Sequence, residues 1–196
     1  MKAVFFDIDT QIDFLLPAGS LYVPGAERLI PVLDRLNHYA ATHGFALVSS
    51  MCAHTEDDPE FRQWPAHCVV GTIGQLKPAE TLVEKRVTVA VPLDEYSLEG
   101  AQQILFEKNQ LDITASPNFQ PLLKRLKASH YVVYGVVTEY CVRFAALALL
   151  TTGQPVSLVT DAIETLRAEE SQRALTEFTS RGGRLTTVAE VCKAGL

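Results

Sequence analysis

The chain has no Cys-x-x-Cys pair, no Lys/Arg-rich run and no apolar stretch that approaches the length of a membrane span. Each absence excludes a class of function. The four cysteines, Cys52, Cys68, Cys141 and Cys192, show no regular spacing, so they read as thiols, or as a ligand and a nucleophile, rather than as disulfides. A formal net charge of -6 with no basic cluster argues against a nucleic acid or an anionic membrane as partner. The N-terminal run meets Asp7 too early to form a signal-peptide core, and the expectation is a soluble, cytoplasmic protein. There is no internal repeat, low-complexity tract or interdomain linker. A chain of 196 residues fits one α/β domain, residues 1–196, with a sizeable core.

What is present is an alternation of apolar runs and helical patterns. Residues 3–8, 45–50, 102–107, 131–137, 156–160 and 184–188 read as six strands. Residues 86–91 alternate polar and apolar side chains and read as a short peripheral strand or hairpin. Helical spacing places Leu29, Leu33, Leu36 and Ala40 on one face, with Gly44 as the stop. Residues 119–127 and 168–181 are amphipathic, and the Ala/Leu-rich stretch 141–150 reads as a buried helix. The pattern predicts a three-layer α/β/α fold around a six-stranded, mostly parallel sheet.

Chemistry-bearing residues gather just after strands. Asp7, Asp9 and Asp13 crowd the end of the first strand, where burying carboxylates is costly unless something uses them. Lys108 follows the third main strand. Cys141 stands where a strand hands over to a helix, a position whose free N–H groups and helix dipole can favour a thiolate; a small buried core thiol is the alternative. Ligands of open α/β sheets bind outside the carboxyl ends of the strands, and a strand order of 3-2-1-4-5-6 would make the strands ending at Asp9 and Val137 neighbours there. Residues 51–85 show little periodicity yet hold Cys52, His54, Glu56, Asp57, Asp58, the sole tryptophan Trp64, His67 and Cys68. A loop of that length in a compact domain is functional or disordered, and its aromatic and histidine content favours function.

Four segments in order carry a family resemblance. Asp9-Thr10-Gln11-Ile12-Asp13-Phe14 resembles D-x-Q-x-D-F, and residues 64–72 resemble W-P-x-H-C-x-x-G-T. Lys108 stands at the third position, and Gly135-Val136-Val137-Thr138-Glu139-Tyr140-Cys141-Val142 resembles G-x-x-T-D-x-C-V. Together they resemble the isochorismatase-like cysteine hydrolases, with the nicotinamidases as the nearest pattern. The resemblance implies a triad of Asp9 (base), Lys108 (stabilising cation) and Cys141 (nucleophile) acting on a small amide. It also implies an oxyanion hole from backbone N–H groups of Cys141 and of Thr138 or Val137, with a cis peptide at Val137-Thr138. A homo-oligomer is expected, with residues 86–100 covering the site or mediating its contacts.

The resemblance breaks at two places. Nicotinamidases hold a divalent metal with an Asp-x-His element and the histidine of W-P-x-H-C; here the first element is Cys52-Ala53-His54. Cys52, His54 and His67 with an open fourth position suit zinc, with Asp57 or Asp58 as an alternative carboxylate. Ala115-Ser116 stands where relatives carry Tyr-Ser, leaving Phe14 and Trp64 as walls for a planar ring. Nicotinamide is the first candidate substrate. N-carbamoyl or ureido hydrolysis, and a non-enzymatic metal-binding or thiol-sensing module, are the alternatives.

Overall fold

A computed structural model describes residues 2–92 and 95–193. Its centre is a parallel sheet of strands β1 (Ala3–Ile8), β2 (Ala46–Cys52), β3 (Arg86–Val89), β4 (Gln103–Lys108), β5 (His130–Gly135), β6 (Val156–Ile163) and β7 (Arg184–Thr186). The spatial order is β3-β4-β2-β1-β5-β6-β7. Setting β3 aside, this is the 3-2-1-4-5-6 order that the sequence permits, with β1 at its centre. The sheet has seven strands, not six. Arg86–Val89 pairs in parallel along β4 as an extra edge strand, and with only Val89 buried its sequence carries little of the apolar signal of the inner strands. As part of the sheet, this portion of 86–100 does not cover the site; Leu93 and Asp94, within the same segment, lie outside the described residues.

The apolar character of β1 follows from being covered on both faces. Ala3 and Phe5 enter one core with Phe14 and Leu15 of the short helix α1 (Ile12–Leu15), with Leu33, Leu36 and Ala40 of helix α2 (Ile30–Thr42) and with Tyr134. Val4, Phe6 and Ile8 enter the other with α3 (Phe119–Leu126), α4 (Arg143–Leu150) and Phe178 of α5 (Ala168–Ser180). Successive side chains point to opposite faces, so a strand sandwiched this way must be apolar throughout. Burying each of Phe5, Phe6 and Phe106 is worth roughly 2–3 kcal/mol. At the end of β5, a Cβ on Gly135 would fall 2.2 Å from the Ile8 carbonyl oxygen, and its φ of +121° suits glycine alone. That glycine lets β5 close on β1 beside the future site.

Several boundaries differ from the sequence reading, β2 ending at Cys52 and β5 at Gly135. β6 runs on to Ile163, and the last strand stops at Thr186, where residues 188–193 form a short helix. The Val188 N–H donates to Asp161 Oδ1 at 2.8 Å, a long-range contact that local periodicity does not encode.

Candidate active site

Register brings the reactive residues together. Cys52 ends β2 directly opposite Lys108, which ends β4, and Ile8 pairs with Gly135. Asp9, the next residue, turns the chain sharply with φ of +50°. Its carboxylate receives Lys108 Nζ at 2.8 Å and Ser50 Oγ at 2.6 Å. The Lys108 ammonium also reaches Cys141 Sγ at 3.7 Å, Cys52 Sγ at 3.4 Å and the Gln110 carbonyl at 3.0 Å. Asp9, Lys108 and Cys141 are thus in mutual contact, and all are buried.

Their charges sustain one another. Burial opposes ionisation of Asp9, but Lys108 and hydrogen bonds from Lys108, Ser50 and Cys141 outweigh it and hold the carboxyl below its ordinary range. Lys108 loses by burial yet is held well above its usual value by Asp9 and the two thiols. Burial, and then the Asp9 charge, keep the Cys141 thiol well above its ordinary value despite Lys108. The resting arrangement is therefore carboxylate, ammonium and protonated thiol.

Between β5 and α4 the backbone differs from expectation. The cis peptide lies at Val136-Val137, one bond before the expected Val137-Thr138. The Thr138 N–H and hydroxyl both bond the Glu164 carbonyl, at 2.9 and 2.8 Å, so Thr138 has no N–H left for an oxyanion, whereas Val137 lines the cavity beside Cys141. Thr138–Val142 winds as a π-helical turn, and α4 proper begins only at Arg143. Glu139 caps a different helix from the one it precedes: its carboxylate accepts from the N–H groups of Leu166 and Arg167, at the start of α5.

The ligand atoms of Cys52, His54 and His67 all lie within 4.8 Å of one another. His54 Nδ1 faces Asp58 Oδ2 at 2.9 Å, and His67 Nδ1 faces the Pro65 carbonyl at 2.8 Å. Both contacts assign the proton to Nδ1 and leave Nε2 as a free lone pair, the arrangement found behind metal-bound imidazoles. His54 Nε2 is buried with no hydrogen-bond partner. An orphaned buried acceptor next to a thiol and a second imidazole fits a thiophilic divalent cation. Asp58 stands behind His54 rather than supplying the missing carboxylate. Burial, and then Asp9, push the Cys52 thiol up to about 12.

Cys52, His67 and Cys141 open into one cleft, lined among others by Phe14, Trp64, Tyr140, Leu111 and Val137. Both aromatic candidates are therefore on its wall; Trp64 meets Tyr140 edge-on at 5.5 Å, and Phe14 lies 5.3 Å from the His67 ring. Leu111, and not Ala115-Ser116, lines it on the side beyond Lys108.

Sequence reasoning gave no role to Gln11 or Glu60 and singled out Asp13 without a partner. Gln11 grips Cys52 from both sides, receiving its N–H at 2.6 Å and donating to its carbonyl at 2.8 Å. Asp13 accepts the Cys68 N–H at 2.7 Å and the Ser20 N–H at 2.9 Å, tying the W-P-x-H-C loop to the first helical turn. Glu60 places a carboxylate 3.8 Å from His67 Nε2, and desolvation raises its pKa. The Asp58-Pro59 start of the Glu60 turn is the capping signal that the sequence carries for it: Asp58 Oδ1 accepts the Glu60 N–H at 2.9 Å.

Known proteins resemble this chain along nearly its whole length. The nicotinamidase of Escherichia coli (strain K12) is 25% identical, with 93% of each chain covered. A pyrazinamidase of Pyrococcus horikoshii, solved in complex with zinc, shares 26% identity at a TM-score of 0.76, covering 95% of this chain and 99% of its own. An N-carbamoylsarcosine amidase from Thermoplasma acidophilum is similar in fold, with a TM-score of 0.77 at 20% identity over 96% and 97% of the two chains. Residues 3–190 match the family described as the isochorismatase domain, and the chain belongs to that family.

Proposed function

We propose that this chain is a cysteine-dependent amidohydrolase for a small, planar amide, with nicotinamide as the first candidate. The observation that carries the reading is the contact of Asp9, Lys108 and Cys141 at the foot of a cleft walled by aromatic rings. An Asp9 oxygen takes the Sγ proton as the sulfur attacks the amide carbon. Lys108 touches both groups, so it compensates the negative charge whether it sits on oxygen or on sulfur. The Cys141 and Val137 N–H groups serve the carbonyl oxygen as it becomes anionic. Asp9 then passes its proton to the departing nitrogen, ammonia leaves, and a thioester remains. Water, deprotonated by Asp9, attacks the thioester; the carboxylate product departs and Sγ recovers its proton.

Cys52, His54 and His67 are the residues that would hold a divalent cation, with zinc the candidate in view of the sulfur and imidazole donors and of the zinc-bound relative. When bound, it supplies a Lewis acid for a heteroatom of the substrate ring. Cys52 in place of the relatives' carboxylate also supports a second reading, hydrolysis of an N-carbamoyl or ureido group, which needs the triad but no ring anchor.

The test is ammonia release by zinc-loaded protein from a panel of nicotinamide, other aromatic amides, aliphatic amides and N-carbamoyl compounds. Activity on the aromatic amides, lost in Cys141→Ala, is expected. Activity confined to carbamoyl compounds selects the second reading, and no turnover of any member refutes the enzyme assignment in favour of a metal-binding or thiol-sensing module.

A further inference from the structure

Behind Asp9, on the α2 side of the sheet, lies a buried polar cluster that no step above uses. Lys77 Nζ donates to Thr10 Oγ1 at 2.8 Å and to Asp7 Oδ2 at 3.2 Å. The Thr10 hydroxyl donates to Asp7 Oδ1, and Ser49 Oγ and Asn37 Nδ2 donate to Asp7 Oδ2 at 3.1 and 3.2 Å. Tyr134 holds Asn37 in place through a 2.7 Å hydrogen bond to its Oδ1. The side chains of Lys77 and Asp7 are fully excluded from solvent.

An ion pair is an expensive way to fill a core, because both charges lose water and an apolar pair of similar volume is often no less stable. Its location offers a reason. Asp7 is two residues before Asp9 and Thr10 is the residue after it, so one ammonium joins the two arms of the turn. At that turn Asp9 takes a φ of +50°, a region that residues with a Cβ rarely occupy. On the inner side the turn is held by Ser50, whose carbonyl accepts the Asp9 N–H at 3.2 Å. On the outer side the Lys77 clamp is the counterpart. The direction of the Asp9 carboxylate towards Sγ depends on this turn.

We infer that Lys77, acting through Thr10 and Asp7, is a positioning residue that holds Asp9 in line with Cys141. The inference rests on the proposed role of Asp9 as base. The experiment compares full-length, zinc-loaded wild type with Thr10→Val, Thr10→Ser, the neutral pair Asp7→Asn/Lys77→Met, and Asp9→Asn as reference. It reads kcat and KM on whichever amide is turned over, and the iodoacetamide alkylation rate of Cys141 at one pH, resolved by peptide mass. Thr10→Val and the neutral pair should lower kcat about 10- to 100-fold with KM nearly unchanged, the pattern of misplaced catalytic geometry. The Cys141 alkylation rate should move from the wild-type value to that of Asp9→Asn, and Thr10→Ser should restore both. The neutral pair guards against a failure to fold caused by leaving Asp7 buried alone. If both variants fold and keep wild-type kcat and alkylation, the inference is overturned even if their melting temperatures fall, since that outcome describes a merely structural cluster. If no amide is turned over, the alkylation arm still decides: rates like Asp9→Asn support the clamp, and wild-type rates refute it.

Discussion

Replacing Gln11 by leucine should unsettle the candidate metal cluster without touching a ligand. Beyond Ile8 the β1 backbone turns away at Asp9, and the Gln11 amide continues the hydrogen bonding towards β2. It receives the Cys52 N–H and donates to the carbonyls of Cys52 and Gln75, each of the latter at 2.8 Å. Leucine fills a similar volume but removes all three hydrogen bonds in a place with no solvent access. An unsatisfied buried donor or acceptor costs about 1–3 kcal/mol, so the three together should cost about 3–6 kcal/mol after partial relaxation. That is a large share of the ~5–15 kcal/mol that stabilises a typical domain. The assay is urea unfolding of metal-free protein, so that lost metal binding does not enter the comparison, followed by zinc titration of the folded variant. A destabilisation below about 1 kcal/mol together with unchanged zinc affinity would refute the reasoning, because the Cys52 backbone would then not depend on Gln11.

Three further outcomes follow from the geometry. Asp58→Ala should weaken zinc binding about 10- to 100-fold, as removal of a carboxylate behind a histidine ligand does; competition with a chromophoric chelator measures it. Lys108→Met leaves the Asp9 carboxylate buried without its cation and should destabilise the metal-free protein by about 3–5 kcal/mol, much of which Asp9→Asn/Lys108→Met recovers in denaturant unfolding. His130, 2.9 Å from Ser157 Oγ, is held below the ordinary imidazole value by burial and then by Arg184. Its stabilising contribution is complete above a pH of about 6.5 and is lost as pH falls from there through the lowered folded value. Melting temperatures above and below that window should show a smaller acid loss for His130→Gln than for wild type, and equal losses would contradict the assignment.

Much of this arrangement is legible in residue order. Apolar runs covered on both faces mark the five inner strands, the pattern at 184–188 marks one edge, and the alternation at 86–91 marks the other, although its half-exposed side chains leave it too weak to count with the rest. Asp9, Lys108 and Cys141 stand just after strands in the sequence, which is where open sheets bind ligands, whereas Cys52, within the aperiodic 51–85 segment, is seen to end β2 only in the structure. The cis bond lies one residue before the position that the sequence suggests, and only the long-range contact of Thr138 with Glu164 shows which N–H is already engaged.

The sequence by itself determined which side chains lie on each face and at the carboxyl ends of the strands, since these follow from a period of two and from local turn chemistry. Tertiary structure alone decided which ends are neighbours. Contacts such as Lys77 with Asp7, Gln11 with Cys52 and Lys108 with Asp9 span tens of residues and exist only once strand order and register are set. Local patterns carry no information about that choice; it is made by packing both faces of the sheet at once.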